Sequence, residues 1–252
     1  MLQRAIIAIY LLVSPLAVAA QELSSGIAFR FGLGPTVAPG YFGDADLDPG
    51  VGAKFQLERI RIGSLSLAGD DTYGLGFGGS LRVVGARSAV NYDELAGLAE
   101  VDASLEVGGG LELTAPDYEV FAKLRYGLLG HEAFVAELGS DILFRPTDQI
   151  TFKVGPRILL GDDKYARTYF GVSEAEALTS SFDAFDAFDA RGGIISAGAR
   201  AEATYAINND WEVVGTLQFE QFQEDAAESP VTQSDDQISG SIVLTRRISF
   251  GF

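Results

Sequence analysis

The chain has 252 residues, a formal net charge of −17, no cysteine and a single histidine, His131. Disulfides, thiolate metal sites and histidine-rich zinc sites are therefore excluded, as is binding to nucleic acid through its phosphates, which needs Lys and Arg. The same negative charge repels anionic lipid surfaces unless divalent cations lie between them.

The first residues have the pattern of an export signal. One arginine precedes the apolar stretch Ala5–Val13, and small residues follow it. This order predicts a secretory signal peptide over residues 1–20, cleaved after Ala19 or Ala20. The apolar stretch is too short for a retained membrane anchor. The mature chain, residues 21–252, is expected to form one domain.

Apolar residues then recur at every second position, although no later stretch reaches the ~20 consecutive apolar residues of a membrane helix. In Glu100–Leu113, valine and leucine alternate with glutamate, aspartate and glycine, and 118–128, 149–161 and 193–207 repeat the pattern. Period two predicts β-strands with one apolar and one polar face. The strands are longer than the usual ~5–6 residues of globular sheets, and charges on the polar face suit a water-filled lumen.

The predicted fold is all-β: a transmembrane, antiparallel, up-and-down β-barrel of the Gram-negative outer-membrane type. Short turns on one side and longer links on the other are typical of such barrels. The ten predicted strands are 26–38, 51–67, 74–86, 98–114, 118–128, 132–145, 149–161, 192–207, 211–223 and 237–252. Twelve strands are possible if Arg61–Leu67 or Lys164–Phe170 form separate strands. A slip in the alternation at Glu58-Arg59-Ile60-Arg61 predicts a bulge.

The end of the chain supports this fold. It is a strand, Arg247–Phe252, that alternates apolar residues and finishes on phenylalanine, which resembles the C-terminal signature of bacterial outer-membrane barrels. Aromatic residues near strand ends on the apolar face are expected to form girdles at the two membrane interfaces. These residues are Tyr118, Tyr126, Tyr205, Trp211, Phe219, Phe250 and Phe252.

The polar face is expected to line the lumen. A ten-stranded barrel has a narrow bore, so these side chains either fill it with ion pairs or leave a cation-leaning channel for small solutes. They are Glu100, Asp102, Glu106, Glu112, Glu119, Lys123, Arg125, Lys153, Arg157, Arg200 and Glu202. The same alternation predicts that Leu105→Arg blocks assembly and that Glu106→Gln is tolerated.

Catalysis would need a base and a nucleophile within hydrogen-bond reach. His131 is the only imidazole, and it lies in a tight predicted hairpin beside Glu132. This position favours an exposed hairpin residue over a general base. We therefore expect no enzymatic activity, no catalytic residue, no cofactor and no metal site.

The link Asp162–Arg191 is the most unusual stretch. Ser173–Glu176 fits a capping box, which predicts a short helix. The triplet Phe-Asp-Ala then repeats, but its aspartates lack the glycine and spacing of a calcium loop. Exposed phenylalanines would suit adhesion, whereas a solvated or barrel-plugging loop is the simpler interpretation. The repeated residues are Phe182, Asp183, Phe185, Asp186, Phe188 and Asp189.

Acidic clusters recur in other long links. One reading is that divalent cations join them to lipopolysaccharide phosphates. The favoured reading is solubility and mutual repulsion of the surface links. The clusters are Asp44, Asp46 and Asp48, and then Glu224, Asp225, Glu228, Asp235 and Asp236.

Several blocks, in chain order, resemble one family of proteins. They are GPTVAPGYFGDADLDPG at 34–50, NYDELAGLAEVDASLEVGGGLE at 91–112, LLGHEAF at 128–134, YFGVSEAEALTSS at 169–181 and EDAAESPVTQ at 224–233. Together they are similar to the MltA-interacting protein (MipA)/OmpV family of outer-membrane proteins. FDAFDAFDARGG at 182–193 departs from the family pattern, which has one aromatic position there.

The resemblance implies an exported barrel of the cell outer membrane without known enzymatic activity. The name-giving member is a scaffold that joins a murein-degrading lytic transglycosylase to a murein-synthesising penicillin-binding protein. The expected partners are therefore a murein hydrolase and a penicillin-binding protein, besides outer-membrane lipid and lipopolysaccharide. A small passive channel and a surface adhesin or structural barrel are the alternatives. The resemblance carries over no site residue.

Overall fold

The structure is a computed structural model that describes residues 25–62, 65–68, 73–179 and 185–251. The predicted signal peptide, Phe182, Asp183 and Phe252 lie outside these residues. No helix within the described residues is long and apolar enough to cross a membrane.

Alternating apolar and polar residues form eleven strands of one antiparallel sheet, because period two places the two kinds of side chain on opposite faces. The strands are β1 Gly26–Pro39, β2 Leu47–Ile62, β3 Leu65–Ala68, β4 Gly74–Val84, β5 Ser104–Thr114, β6 Tyr118–Gly127, β7 Phe134–Thr147, β8 Ile150–Gly161, β9 Gly193–Ala206, β10 Trp211–Phe222 and β11 Asp236–Gly251. Their order in the sheet is β3-β2-β1-β11-β10-β9-β8-β7-β6-β5-β4.

The sheet curls into a barrel. Antiparallel pairing throughout gives β3 and β4, the two edges of the sheet, the same direction, with β3 paired to β2 and β4 to β5. The two edges meet where Leu57 of β2 lies against Gly79 of β4: a Cβ at Gly79 would stand 2.9 Å from the leucine Cδ2. The predicted all-β antiparallel barrel of about ten strands is confirmed, with the four-residue β3 in addition to ten longer strands.

One predicted strand differs from the structure, and the bulge predicted within it is present. The predicted strand 51–67 is divided between β2 and β3, so a separate strand near Arg61–Leu67 is correct in part. The predicted bulge is confirmed: Ala28 faces Arg59 and Phe29 faces Leu57, which leaves Glu58 without an opposite residue.

The links and turns lie at opposite ends of the barrel. The loop end carries the long links 40–46, 85–103, 128–133, 162–192 and 223–235, and the turn end carries the turns 115–117, 148–149 and 207–210. The first and last strands also meet at the turn end, with Gly26 opposite Gly251. This asymmetry agrees with the predicted arrangement.

Three short helices lie in the long links: α1 Asp163–Phe170, α2 Glu174–Thr179 and α3 Glu224–Glu228. The alternative strand at Lys164–Phe170 is therefore wrong. The Asp162 side chain accepts a hydrogen bond from the Tyr165 backbone N–H and starts α1, which is the role of an N-cap residue. The buried residues of α1 then follow helical rather than alternating spacing; they are Tyr165, Ala166, Tyr169 and Phe170.

The outward face of the barrel is apolar and exposed, as a lipid-facing surface must be. Of the predicted girdle residues, Tyr118, Tyr205 and Phe250 are exposed at the turn end. Tyr126 lies at the loop end, with its ring 4.8 Å from that of Phe134. Trp211 is half-buried, because Arg246 stacks on its ring at 5.4 Å.

The depth of the apolar belt can be tested by introducing an arginine at two different heights on the outward face. Ile242 is 60% exposed in the middle of β11, and Leu47 is 50% exposed at the loop-end start of β2. We expect Ile242→Arg to lower the free energy of unfolding by about 2–4 kcal/mol, and Leu47→Arg by about 0–1 kcal/mol, because the cost of a charge falls towards the interface. Urea unfolding of the barrel in lipid vesicles measures both; equal losses would contradict the assigned depth.

Candidate functional site

Charged side chains from opposite walls meet inside the lumen. Lys54 of β2 contacts Glu202 of β9 with an Nζ–Oε2 distance of 2.5 Å, although three strands separate them in the sheet. Towards the turn end, Arg30 and Arg247 share Glu58, each with an N–O distance of 2.6 Å. The lumen is therefore crossed by ion pairs.

Two of the predicted luminal residues lie elsewhere. Glu100 and Asp102 precede β5, which begins at Ser104, and both are exposed in the link 85–103. Glu100 accepts a hydrogen bond from the Ser88 hydroxyl at 2.8 Å. The continuous β4–β5 ladder ends at Ser104, and the alternation continues into the link, where Arg87 and Val101 form an isolated antiparallel bridge.

The largest charged cluster surrounds Glu106, whose side chain is completely buried. Arg82 donates to both carboxylate oxygens, from Nη2 to Oε1 at 2.6 Å and from Nε to Oε2 at 2.8 Å. Arg125 donates from Nε to Oε2 at 2.9 Å and from Nη1 to Glu137 at 2.8 Å. Partners on several sides are what a buried carboxylate requires, because its desolvation is costly.

His131 belongs to this cluster, so its assignment as an exposed hairpin residue is wrong: it is 1% exposed. Its Nδ1 accepts the Ala133 backbone N–H at 3.0 Å, which leaves the proton on Nε2, 3.3 Å from Glu106 Oε1. Gly127 faces Glu106 in the β5–β6 ladder and makes room for the ring, since a Cβ there would lie 2.5 Å from the imidazole Cε1.

The helix α1 plugs the loop end directly above this cluster. The Tyr165 hydroxyl accepts a hydrogen bond from Arg82 Nη2 at 3.0 Å, and the Tyr169 hydroxyl lies 3.0 Å from Ser104 Oγ. Burial raises the pKa of both phenols, so both remain protonated at neutral pH. The barrel-plugging interpretation of the link Asp162–Arg191 is confirmed for α1.

A second apolar layer packs over the plug. Its buried residues come from four links and are Tyr41, Leu95, Leu98, Val172 and Val231. Phe185 and Phe188 pack against this layer, and Phe188 exchanges two backbone hydrogen bonds of 2.8 Å with Val172. These two phenylalanines are therefore not displayed for adhesion. We call the links 40–46, 85–103, 162–192 and 223–235 together the cap.

The acidic residues of the cap are used in local hydrogen bonds. Asp44 is buried and accepts the backbone N–H groups of Gly40 at 3.2 Å and Asp46 at 2.9 Å. Asp48 accepts the Tyr92 hydroxyl at 3.0 Å; burial and this hydrogen bond raise the pKa of Tyr92 to about 12. Within the described residues, no group of three or more acidic or histidine side chains could hold a metal ion.

The capping box predicted at Ser173–Glu176 is confirmed. Glu176 Oε2 accepts the Ser173 backbone N–H at 2.8 Å and its hydroxyl at 2.6 Å, while Oε1 accepts the Ala99 backbone N–H at 2.8 Å. Partial burial acts to raise the pKa of Glu176, but these hydrogen bonds outweigh it and hold the pKa below its usual range. One carboxylate therefore starts α2 and fastens it to the link 85–103.

Two neighbouring cavities share Phe42 in their lining. The outer cavity has a volume of about 180 Å³ and lies beneath the cap, next to Tyr41 and Arg87. The inner cavity, of about 280 Å³, lies within the lumen. Phe42 also contacts Tyr169 of the plug, with ring centroids 4.9 Å apart. Phe42 therefore joins the plug to the walls of both cavities.

Because of these buried contacts of Glu106, we no longer expect the change Glu106→Gln to be tolerated. Because the change leaves Arg82 and Arg125 buried beside a neutral group, we expect a loss of about 3–5 kcal/mol in the free energy of unfolding. Glu132→Gln is the matched control: its ion pair with Lys164 is 62% and 53% exposed and contributes about 0–1 kcal/mol. Urea unfolding measures both, and equal stability of the two variants would contradict the central role of Glu106.

The attachment of α2 is expected to depend on pH. Because the pKa of Glu176 is lowered from 4.5, its ionised form stabilises the cap above that value, and this contribution is lost as the pH falls through the lowered pKa. The protection of the Ala99 amide against hydrogen exchange, measured relative to the intrinsic exchange rate at each pH, should therefore fall on acidification. Glu176→Gln has one acceptor oxygen and does not titrate, so it should remove this pH dependence, whereas the exposed Glu174→Gln should retain it. An unchanged acid response in Glu176→Gln would reject this explanation.

Comparison with solved structures finds distant likenesses. An outer membrane channel from Pseudomonas putida F1 is 10% identical, with 94% of this chain and 100% of that chain covered and a TM-score of 0.45. The NanC porin is 9% identical, with 88% and 100% covered and a TM-score of 0.37. Ail, the attachment invasion locus protein of Yersinia pestis, is 8% identical, with 89% and 99% covered and a TM-score of 0.31.

Comparison with curated proteins finds no match. The sequence profile described as MltA-interacting protein MipA matches residues 31–248. This range includes every strand of the barrel in whole or in part, together with the plug and the cap. The chain belongs to the MltA-interacting protein MipA family.

Proposed function

We propose that the protein is a non-catalytic scaffold in the outer membrane that holds a murein hydrolase, and with it a penicillin-binding protein, at the periplasmic surface. The family description supports the first partner, since it names an interaction with MltA. In this arrangement the cleaved signal peptide exports the chain, the turn end faces the periplasm, and the loop end faces outwards. The turn end is then the surface that meets the murein enzymes.

The observation that carries the proposal is the set of hydrogen bonds that hold the turns at the turn end. Arg30 donates from Nη2 to the Asn209 carbonyl at 3.3 Å, and Arg145 donates from Nη1 to the Pro116 carbonyl at 2.5 Å. The Ala115 backbone N–H also donates to the Tyr118 carbonyl at 2.8 Å. Turns held in this way lose little conformational entropy when a partner binds. This favours tight binding even though the contact surface is small.

The environment of His131 supports a non-catalytic role. Nδ1 accepts a backbone N–H, and Nε2 faces a carboxylate that two arginines already hold. The rings of Tyr165 and Tyr169 cover the imidazole at centroid distances of 5.1 and 5.7 Å. A general base needs access to the proton that it removes, and this packing suits a structural group instead.

A passive channel is less well supported, because ion pairs cross the lumen and α1 plugs its loop end. Steady conductance of the purified protein in a planar bilayer would favour it. A surface adhesin is the second candidate, and the exposed apolar side chains of the cap favour it. Val90 and Leu178 are 82% and 87% exposed; loss of surface attachment on deletion of the cap links would mark this function.

The scaffold is tested by reversing charges at one end of the barrel. The triple variant Asp117→Arg, Asp148→Arg and Asp210→Arg alters exposed side chains of the three turns. We expect it to weaken binding of a purified lytic transglycosylase to the tagged barrel at least about tenfold. Reversed charges at an interface either repel like charges of the partner or remove ion pairs with it.

The control is the same change of charge at the opposite end. Asp46→Arg, Asp93→Arg and Asp186→Arg alter exposed side chains of the cap, and this variant should bind the enzyme as the parent does. Failure of the parent barrel to retain any murein enzyme from gently solubilised envelopes would reject the scaffold. Equal binding by both variants would show that the turns are not the docking surface.

A further inference from the structure

The inner cavity joins charged side chains from five strands beneath Phe42. Its polar lining comes from β4, β7, β8, β9 and β10 and consists of Arg82, Glu137, Arg157, Arg200, Gln218 and Glu220. We propose that this cavity binds a small zwitterion, an α-amino acid or a dipeptide with an apolar side chain. This binding site goes beyond the proposed scaffold and does not depend on it.

Most charges at the cavity are neutralised by direct partners. Arg82 holds Glu106, as described above. Arg157 donates from Nη2 to both oxygens of Asp141, at 2.9 and 2.7 Å. These groups form the fixed wall of the cavity, because each is already in a charge-assisted pair.

Arg200 and Glu220 are the exceptions. Arg200 donates from Nε to the neutral Gln218 at 2.7 Å, and its contact with a carboxylate, Nη2 to Glu137 Oε1, is 3.9 Å long, which is beyond hydrogen-bond distance. Glu220 accepts the Ser196 hydroxyl at 2.9 Å, and no ion pair among the described residues includes it. One cation and one anion therefore face the cavity with capacity for a ligand.

The spacing of these two residues suits a ligand with two opposite charges. In the β9–β10 ladder, Arg200 lies opposite Gln218 and Glu220 lies opposite Gly198. Arg200 and Glu220 are thus diagonal neighbours on one face of the sheet, about 7–8 Å apart between backbones. A ligand carboxylate at Arg200 and a ligand ammonium group at Glu220 would give both side chains an oppositely charged partner at once.

Arg157 provides an independent sign of a missing acceptor. Its side chain is 7% exposed, and its Nε–H has no hydrogen-bond partner. The carboxylate oxygen Glu137 Oε1 lies 3.9 Å from Arg157 Nε and also 3.9 Å from Arg200 Nη2. A buried donor without a partner is costly, and a ligand carboxylate between the two arginines would satisfy it.

The rest of the lining defines the side chain and the route of the ligand. Phe42, Val84 and Leu159 form an apolar wall of the same cavity, which suits an aliphatic side chain. A volume of about 280 Å³ is close to the lower end of small-molecule pockets, ~300 Å³. The outer cavity shares Phe42 and Glu220 with the inner one, so rotation of the Phe42 ring would admit the ligand from the cap.

The experiment is calorimetric titration of the purified, folded barrel with four probes. L-leucine and glycyl-L-leucine are zwitterions, N-acetyl-L-leucine carries only the negative charge, and L-leucinamide carries only the positive charge. At least one zwitterion should bind about tenfold more tightly than either singly charged probe, as expected when one charge-assisted contact is lost. Equal affinity for all probes, or no heat from either zwitterion at millimolar concentration, would overturn the proposal.

Three variants locate the two charges. Arg200→Gln should weaken L-leucine about tenfold and remove its advantage over L-leucinamide, and Glu220→Gln should remove its advantage over N-acetyl-L-leucine. Lys164→Gln, on the exposed side of α1, should leave every affinity unchanged. If either lumen variant fails to fold, the relative affinities of the parent barrel for the four probes still test the proposal. A barrel that retains the murein enzyme but binds no zwitterion rejects this site alone.

Discussion

One buried carboxylate holds together the wall and the plug of the barrel. Glu106 accepts hydrogen bonds from Arg82 and Arg125 on the strands beside it and faces His131 from the next link, and Arg82 also donates to Tyr165 of α1. Removing one member leaves the others charged and buried, at a cost of several kcal/mol. The helix at the loop end is therefore part of the charge network of the lumen.

This network divides the molecule into surfaces with different chemistry. The outer face is apolar, the turn end presents short turns fastened by arginines, and the lumen holds paired charges beside the inner cavity. Because the turn end and the cavity lie at different heights, a protein partner and a small ligand can be bound without competing. Scaffolding and ligand binding therefore require separate experiments, since neither activity implies the other.

The strands could be predicted from the sequence because period two is local. The bulge at Glu58 and the capping box at Ser173–Glu176 were predictable for the same reason. His131 and α1 were not, because their positions depend on contacts across the barrel: His131 is buried where Gly127 faces Glu106. The role of Arg200 and Glu220 in the cavity could not be predicted either. Alternation shows that many charged side chains face inwards, but it does not show which of them lack a charged partner.

The pairing of β1 with β11 has a consequence for how the chain folds. Gly26 meets Gly251, so the ladder that joins the first strand to the last has nearly the largest sequence separation the chain allows. Contacts of this kind form slowly, because the entropy of closing a long loop must be overcome first. Until the final strand arrives, the first strand has an unsatisfied edge, and such edges are sites of aggregation. Pairing of β1 with β11 is thus a late kinetic step, and an assembly factor that shields the edge of β1 would shorten the time during which the chain can aggregate.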